Sequence, residues 1–217
     1  MSCSINLKNI SYKDKVLKDV FLNLGHEEKI AIIGANGSGK STLLKIIAGF
    51  IEPSNGYIEL FHNKIKNITE FKKYRKDIAY LPQEVTNHFL CPTVIEDVIF
   101  SLRAMGEDIN SSLNKGYKIL NQLQIIHLKD RIIFDLSGGE QKIVALAGLL
   151  ILEPKILLLD EPTNALDEES EKKVIDILNS IKKSMIIVSH HKNFISSLAP
   201  TIYKLENGKL NKLMEKT

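Results

Sequence analysis

The run "GANGSGKS" (Gly34–Ser41) constrains this chain more than any other stretch, because it follows the apolar segment "KIAII" directly and opens into the leucine-rich "TLLKII". It fits G-x-x-x-x-G-K-[ST], a loop joining a buried strand to a helix. Gly34, Gly37 and Gly39 let the backbone curl, so that N–H groups along Ala35, Asn36 and Ser38 point inward at phosphate oxygens. A helix beginning near Lys40 adds its positive N-terminal end. Lys40 is expected to reach the β- and γ-phosphates, the Ser41 hydroxyl to ligate Mg²⁺, and Thr42 to complete the loop. The chain must therefore place a strand, a glycine loop and a helix in succession, with a nucleotide at the strand's end.

The remaining pattern agrees with an α/β class. "IAYLPQ" (Ile78–Gln83), "KILLLDEP" (Lys155–Pro162) and "MIIVSHH" (Met185–His191) read with "KIAIIG" as strands of a largely parallel sheet, their near-continuous apolar character implying burial on both faces. "SINLKNISY", "GYIELF" and "IYKLENGKLNKL" alternate more, and Asn207-Gly208 is a hairpin signal. Together they predict a small antiparallel layer beside the parallel core. From about Glu84 to Asp135 the strand pattern gives way to helix, predicting an inserted helical subdomain within one domain spanning 1–217. Helices are further predicted over "GGEQKIVALAGLLI" and "EESEKKVIDILNSIKK".

"ILLLDEP" supplies carboxylates where ligands of open α/β sheets gather. Asp160 is placed to hold Mg²⁺ and Glu161 to accept a proton from an attacking water. In "LSGGEQ", Ser137, Gly138 and Gly139 offer a hydroxyl and bare N–H groups at a helix start, a second anion cradle. One nucleotide cannot easily occupy both cradles. A head-to-tail homodimer solves this, each ATP lying between the loop of one copy and the serine-glycine turn of the other.

With these motifs in hand, the chain resembles the nucleotide-binding subunits of ABC transporters over essentially its whole length. The resemblance implies ATP and Mg²⁺ as cofactors and ATP hydrolysis as the activity. By resemblance, Tyr12 stacks on adenine, and Gln83 reaches Mg²⁺ with Ser41 and Asp160. His190 contacts the γ-phosphate and acts with Glu161 and Gln83 in catalysis. Ser137 to Glu140 form the signature read by the opposite protomer, and "NALD" (Asn164–Asp167) is the loop crossing the interface through Asp167.

"CPTVIEDVIF" and "VALAGLLILEPKILLLDEPT", with Gly148 where many relatives carry arginine, resemble the energy-coupling-factor (ECF) branch. That branch takes up cobalt, nickel or vitamins with a membrane scaffold and a substrate-binding membrane protein. A lipoprotein-releasing or exporter ATPase, or a division-type regulatory ABC ATPase, is the alternative. Three positions depart from the family pattern. Glu140 replaces glutamine, Ile143 stands where arginine is usual, and His191 replaces aspartate. Lys142 is not expected to substitute for that arginine, since adjacent helix positions point about 100° apart. His190 and His191 are not expected to share a metal, because neighbours on a strand face opposite sides.

Composition excludes several classes. The net charge of +3 is the small difference between 29 basic and 26 acidic residues, too weak to argue for a nucleic-acid partner, and none is expected. Cys3 and Cys91 lack metal-ligand spacing. The N-terminus lacks a signal-peptide pattern, and the longest apolar stretch, Ile143–Leu152, is too short to span a bilayer. The expected location is the cytoplasmic membrane face, held there by membrane subunits.

Overall fold

The computed structural model describes residues 3–13, 16–164 and 166–215. They form two compact units, one within 1–80, 155–161 and 181–217, the other within 81–154 and 162–180.

The first unit carries β1 (Cys3–Tyr12), β2 (Leu17–Gly25), β3 (Lys29–Ile33), α1 (Lys40–Ile47), β4 (Asn55–Leu60), β5 (Asn63–Ile65) and β6 (Ile78–Leu81). The same unit also contains β7 (Ile156–Asp160), β8 (Ser184–Val188), α6 (Lys192–Leu198), β9 (Thr201–Glu206) and β10 (Lys209–Glu215). One sheet has the order β2-β1-β4-β5 and is antiparallel throughout. The larger has the order β10-β9-β3-β8-β7-β6, with β3 parallel to both β8 and β9, and β7 parallel to β8.

Strand β3 shows why this sheet is buried on both faces. Ile30 and Ile32 join a core shared by α1 and both sheets, while Ala31 and Ile33 face Ile195 and Ala199 at α6. Alternation along one strand thus feeds two apolar layers.

The C-terminal hairpin corrects the expected grouping. β9 and β10 do pair around Asn207-Gly208, but β9 lies parallel to β3, so the hairpin extends the larger sheet and not the small antiparallel layer. Strand β2 fills that layer instead. Its buried residues Leu17, Val20, Leu22 and Leu24 are spaced three and then two apart, with Asp19 at φ 48°. A bulge between Ile10 and Tyr12 of the pairing breaks the alternation that would have revealed β2 in the sequence.

The second unit is helical: α2 (Val94–Ala104), α3 (Ile109–Gln122), α4 (Gly138–Leu150) and α5 (Glu168–Ser180). Capping places their starts. Thr93 and Glu96 form a capping box on α2, Asp108 accepts from the N–H groups of Asn110 and Ser111, and Ser137 with Glu140 form a second box on α4. Helix α2 packs on α3 and α4, and α4 on α5. Ile143 is buried in this packing. Among the described residues, no helix is long and apolar enough to cross a membrane.

Candidate functional site

Because β3, β8 and β7 are parallel, their C-terminal ends reach one edge of the sheet, with Ile32 opposite Val188 and Val188 opposite Asp160. The loop after β3, the acids ending β7 and the histidines after β8 therefore emerge together, at the edge where open α/β sheets bind ligands.

Ala35, Asn36 and Gly37 form the exposed tip of the first loop, with Gly34 and Ser38 half-buried at its base. Gly39 is the N-cap of α1 at φ 102°, and a Cβ there would lie 2.9 Å from the carbonyl oxygen of Val16. Only glycine fits both the left-handed backbone and that close approach. Among the described residues no side chain caps α1, so its first-turn N–H groups keep the capacity to bind an anion. Lys40 is buried, and its Nζ donates to the carbonyls of Gly34 (2.8 Å) and Ala35 (3.0 Å). The ammonium is thereby drawn across the loop. Ser41 and Thr42 are half-buried in the first turn behind it.

Asp160 is only 2% exposed. Burial pushes its carboxyl above the ordinary range, partly offset by the Ser41 and Tyr80 hydroxyls, and Glu161 adds like-charge repulsion. Tyr80 donates to Oδ2 at 3.3 Å. Burial, and then the charge of Asp160, pushes the Tyr80 phenol well up. Among the described residues Oδ1 of Asp160 has no hydrogen-bond partner. An orphaned buried carboxylate oxygen beside a serine hydroxyl is a donor set suited to a hard cation such as Mg²⁺.

Glu161 is buried and adopts φ 49°, a left-handed conformation costing a non-glycine residue about 1 kcal/mol or more. Its N–H donates to the Val188 carbonyl at 2.8 Å, and its Oε1 lies 3.0 Å from Nδ1 of His190. In this contact Nδ1 donates to the carboxylate when that ring nitrogen carries the proton. His190 itself is exposed.

His191 overturns the expected strand geometry. Both histidines lie beyond the end of β8, so strand alternation no longer applies, and their rings meet edge to face at 4.6 Å. His191 donates its N–H to Ser189 Oγ and begins α6. No cluster of three or more His, Cys, Asp or Glu suited to a metal occurs among the described residues. Tyr12 ends β1, half-buried, with the Lys13 ammonium 5.4 Å from its ring centre.

The second unit holds the other candidates. Gln83 is exposed in the bend after β6. Ser137 and Gly138 are exposed at the start of α4, where Ser137 N and Oγ both donate to Glu140 Oε2 at 2.8 Å. Gly139 is buried. Asp167 caps α5, accepting from Ser170 N at 2.9 Å and Ser170 Oγ at 3.0 Å. Ala165, inside the same loop, lies outside the described residues. Two residues escaped the sequence reading. Tyr80 was visible only as a strand position. Lys142, whose helix angle keeps it from replacing the arginine, is buried and bonded to the Asn164 carbonyl.

The ABC transporter family model matches residues 17–164. A Brucella suis biovar 1 protein, named only as an ABC transporter ATP-binding protein, is 42% identical over 195 residues, covering 90% of this chain and 81% of its own. The energy-coupling factor transporter ATP-binding protein of Ligilactobacillus salivarius is 33% identical, covering 95% and 77% respectively. Among solved structures, the dimeric post-hydrolysis state of the ATP-binding cassette MJ0796, bound to ADP and Pi, superposes with TM-score 0.86 at 27% identity. That match covers 97% of this chain and 98% of that one.

Proposed function

The chain belongs to the ABC transporter family as an ATP-binding subunit and ATPase, and from that premise we propose how its residues divide the work. The observation that carries the reading is the buried Glu161 carboxylate, held at a strained φ and 3.0 Å from His190, beside Asp160 and at the sheet edge that carries the phosphate loop.

ATP lies with its phosphates on the loop Gly34–Thr42 and its adenine on Tyr12. Lys40 exchanges its loop carbonyls for β- and γ-phosphate oxygens and neutralises their charge. Ser41 and Asp160 are the residues that would hold Mg²⁺, with Gln83 joining them by resemblance alone. When bound, the ion supplies charge neutralisation and Lewis-acid polarisation of the phosphates. Glu161 accepts a proton from water as the water oxygen bonds to the γ-phosphorus, and the bond to the β-γ bridging oxygen breaks, leaving ADP and inorganic phosphate. His190 orients Glu161 through Nδ1 and turns its other face to the γ-phosphate.

Two anion cradles on one chain favour a head-to-tail homodimer, supported by the dimeric form of the similar cassette bound to ADP and Pi. Ser137, Gly138 and Gly139 of each copy then close on the other's γ-phosphate, with Asp167 at the crossing. Dimer closure on ATP does work on membrane subunits at the cytoplasmic membrane face, and hydrolysis resets it. The membrane partners are an ECF scaffold and a substrate-binding protein for a transition metal ion (cobalt or nickel) or a vitamin. This is favoured by "CPTVIEDVIF" and by the likeness to the energy-coupling factor protein.

The test is Glu161→Gln in the full chain. ATP binding should stay within about twofold while turnover falls at least a hundredfold and an ATP-bound dimer accumulates on gel filtration. Turnover at the wild-type rate would remove Glu161 from the role of base.

A further inference from the structure

The first two turns of α4 hold three separate pieces of the second unit. Ser137 and Glu140 close the cap, as described. Gln141, the next residue, is buried and turns toward the preceding segment. Its Nε2 donates to the carbonyls of Ile133 (3.2 Å) and Leu136 (3.3 Å), and its Oε1 accepts from Thr86 Oγ1 (3.1 Å), three residues after Gln83. Lys142 points another way. It is only 7% exposed, and its Nζ donates to the Asn164 carbonyl at 2.7 Å.

An ammonium is seldom buried in an apolar helix packing unless a structural demand holds it there. The demand visible here is the Asn164 carbonyl. Asp167, further along, is held from a second side. A Cβ on Gly139 would fall 2.6 Å from Ser170 Oγ, so the signature turn packs directly on the residue that holds the Asp167 carboxylate. The 100° step between positions 142 and 143 explains the division of labour. Ile143 enters the apolar core, and Lys142 carries its charge toward the loop.

We propose that Lys142 is a positioning residue that ties Asn164 to the signature helix, so that the serine-glycine turn and Asp167 meet the partner protomer in fixed register. This rests on the composite-site reading above. The ammonium touches neither nucleotide nor reacting atoms. It acts by setting where Asp167 stands when Ser137 reaches the opposite γ-phosphate.

The experiment compares Lys142→Met, Lys142→Gln and Lys142→Arg in the full chain. Lys142→Met keeps side-chain length and apolar burial but removes the donor. It should leave monomer ATP affinity and the melting temperature near wild type. It should lower kcat about tenfold or more, with KM changed less than about threefold. Hydrogen exchange of amides 163–167 should accelerate while α4 stays protected. Lys142→Gln, a neutral donor, should restore part of kcat, and Lys142→Arg part as well. Wild-type kcat in Lys142→Met, or unchanged exchange at 163–167, overturns the proposal. If Lys142→Met fails to fold, a partial loss of kcat with faster exchange at 163–167 in Lys142→Gln and Lys142→Arg sustains it, and unaltered kcat in both, or loss of kcat with unaltered loop exchange, refutes it. A Ser137→Arg control separates the two readings. Turnover surviving in that variant defeats the composite site itself, whatever Lys142 does.

Discussion

The Ser137 hydroxyl donates to the Glu140 carboxylate at 2.8 Å, and the Ser137 N–H donates to the same oxygen. The carboxylate thus holds two of the donors that a γ-phosphate would claim, and it adds negative charge at the turn. Ser137 donors, first the backbone N–H, keep the Glu140 carboxyl below its ordinary 4.5. The glutamine usual at this position would compete more weakly, since charged acceptors hold a hydrogen bond about twice as firmly as neutral ones.

Glu140→Gln should therefore tighten ATP-driven dimerisation by roughly threefold to tenfold in the Glu161→Gln background, with monomer ATP binding unchanged. The cost falls on α4, whose first turn loses a negative charge, about 0.5–1 kcal/mol of stability. With the folded pKa depressed, that contribution is present above 4.5 and is lost as pH falls through the lowered value. Melting curves from pH 6 to about 3 should show less acid sensitivity in Glu140→Gln than in wild type. Sedimentation with ATP measures the dimer, and weaker association in the variant would contradict the competition.

Asp160→Asn should raise stability while abolishing turnover. Burial raises the Asp160 carboxyl above 3.8, so the native state binds its proton more readily than the unfolded chain does. Stability from this group therefore falls as pH climbs from 3.8 through the raised value, and remains reduced beyond it. The neutral amide removes that penalty. The variant's melting temperature at neutral pH without Mg²⁺ or nucleotide should therefore rise above that of wild type. Calorimetry checks it, and a melting point lower than wild type would deny the strain. Stored strain of this kind is common where a site waits for a charged ligand.

Ser137→Arg isolates the two cradles. Its own phosphate loop is intact, so the monomer should bind ATP within about twofold of wild type. The bulky cation should block closure and cut turnover at least a hundredfold, mixed dimers with wild type included. Equal loss of ATP binding by the monomer would mean that both cradles serve one chain.

The strand–loop–helix around Gly34–Thr42, the acids at the end of β7 and the capped start of α4 were legible because each is a short motif of characteristic residue types. The parallel strands were legible too, since burial on both faces leaves an unbroken apolar run such as "ILLL". Strand β2 was not, because a bulge at Asp19 interrupts its alternation. The place of the β9–β10 hairpin was not, because Asn207-Gly208 specifies a turn and says nothing about the neighbour on the other side of β9. Lys142 was hidden for a related reason. Its partner is a backbone carbonyl 22 positions away, and a carbonyl leaves no trace in residue type.

One face of the second unit offers membrane subunits an apolar surface around Leu90. Phe89 is half-buried, whereas Leu90 beside it is 69% exposed. Backbone bonds fix what lies near it. Val94 N–H donates to Arg131, Ile133 N–H donates to Pro92, and Thr93 pairs with Ile132, which brings the segment 131–134 alongside 92–94. Ile132 and Phe134 on that segment are 51% and 60% exposed, so three large apolar side chains share this part of the second unit. Exposed apolar groups are ordinary singly and informative when grouped. Leu90→Glu and Phe134→Glu should each leave the ATPase rate of the isolated chain within about twofold, because neither residue lies at a motif that handles phosphate. Combined, they should reduce recovery of membrane subunits at least tenfold in a pull-down from detergent extracts, and they should stop uptake in cells. Recovery at the wild-type level would place the docking surface elsewhere.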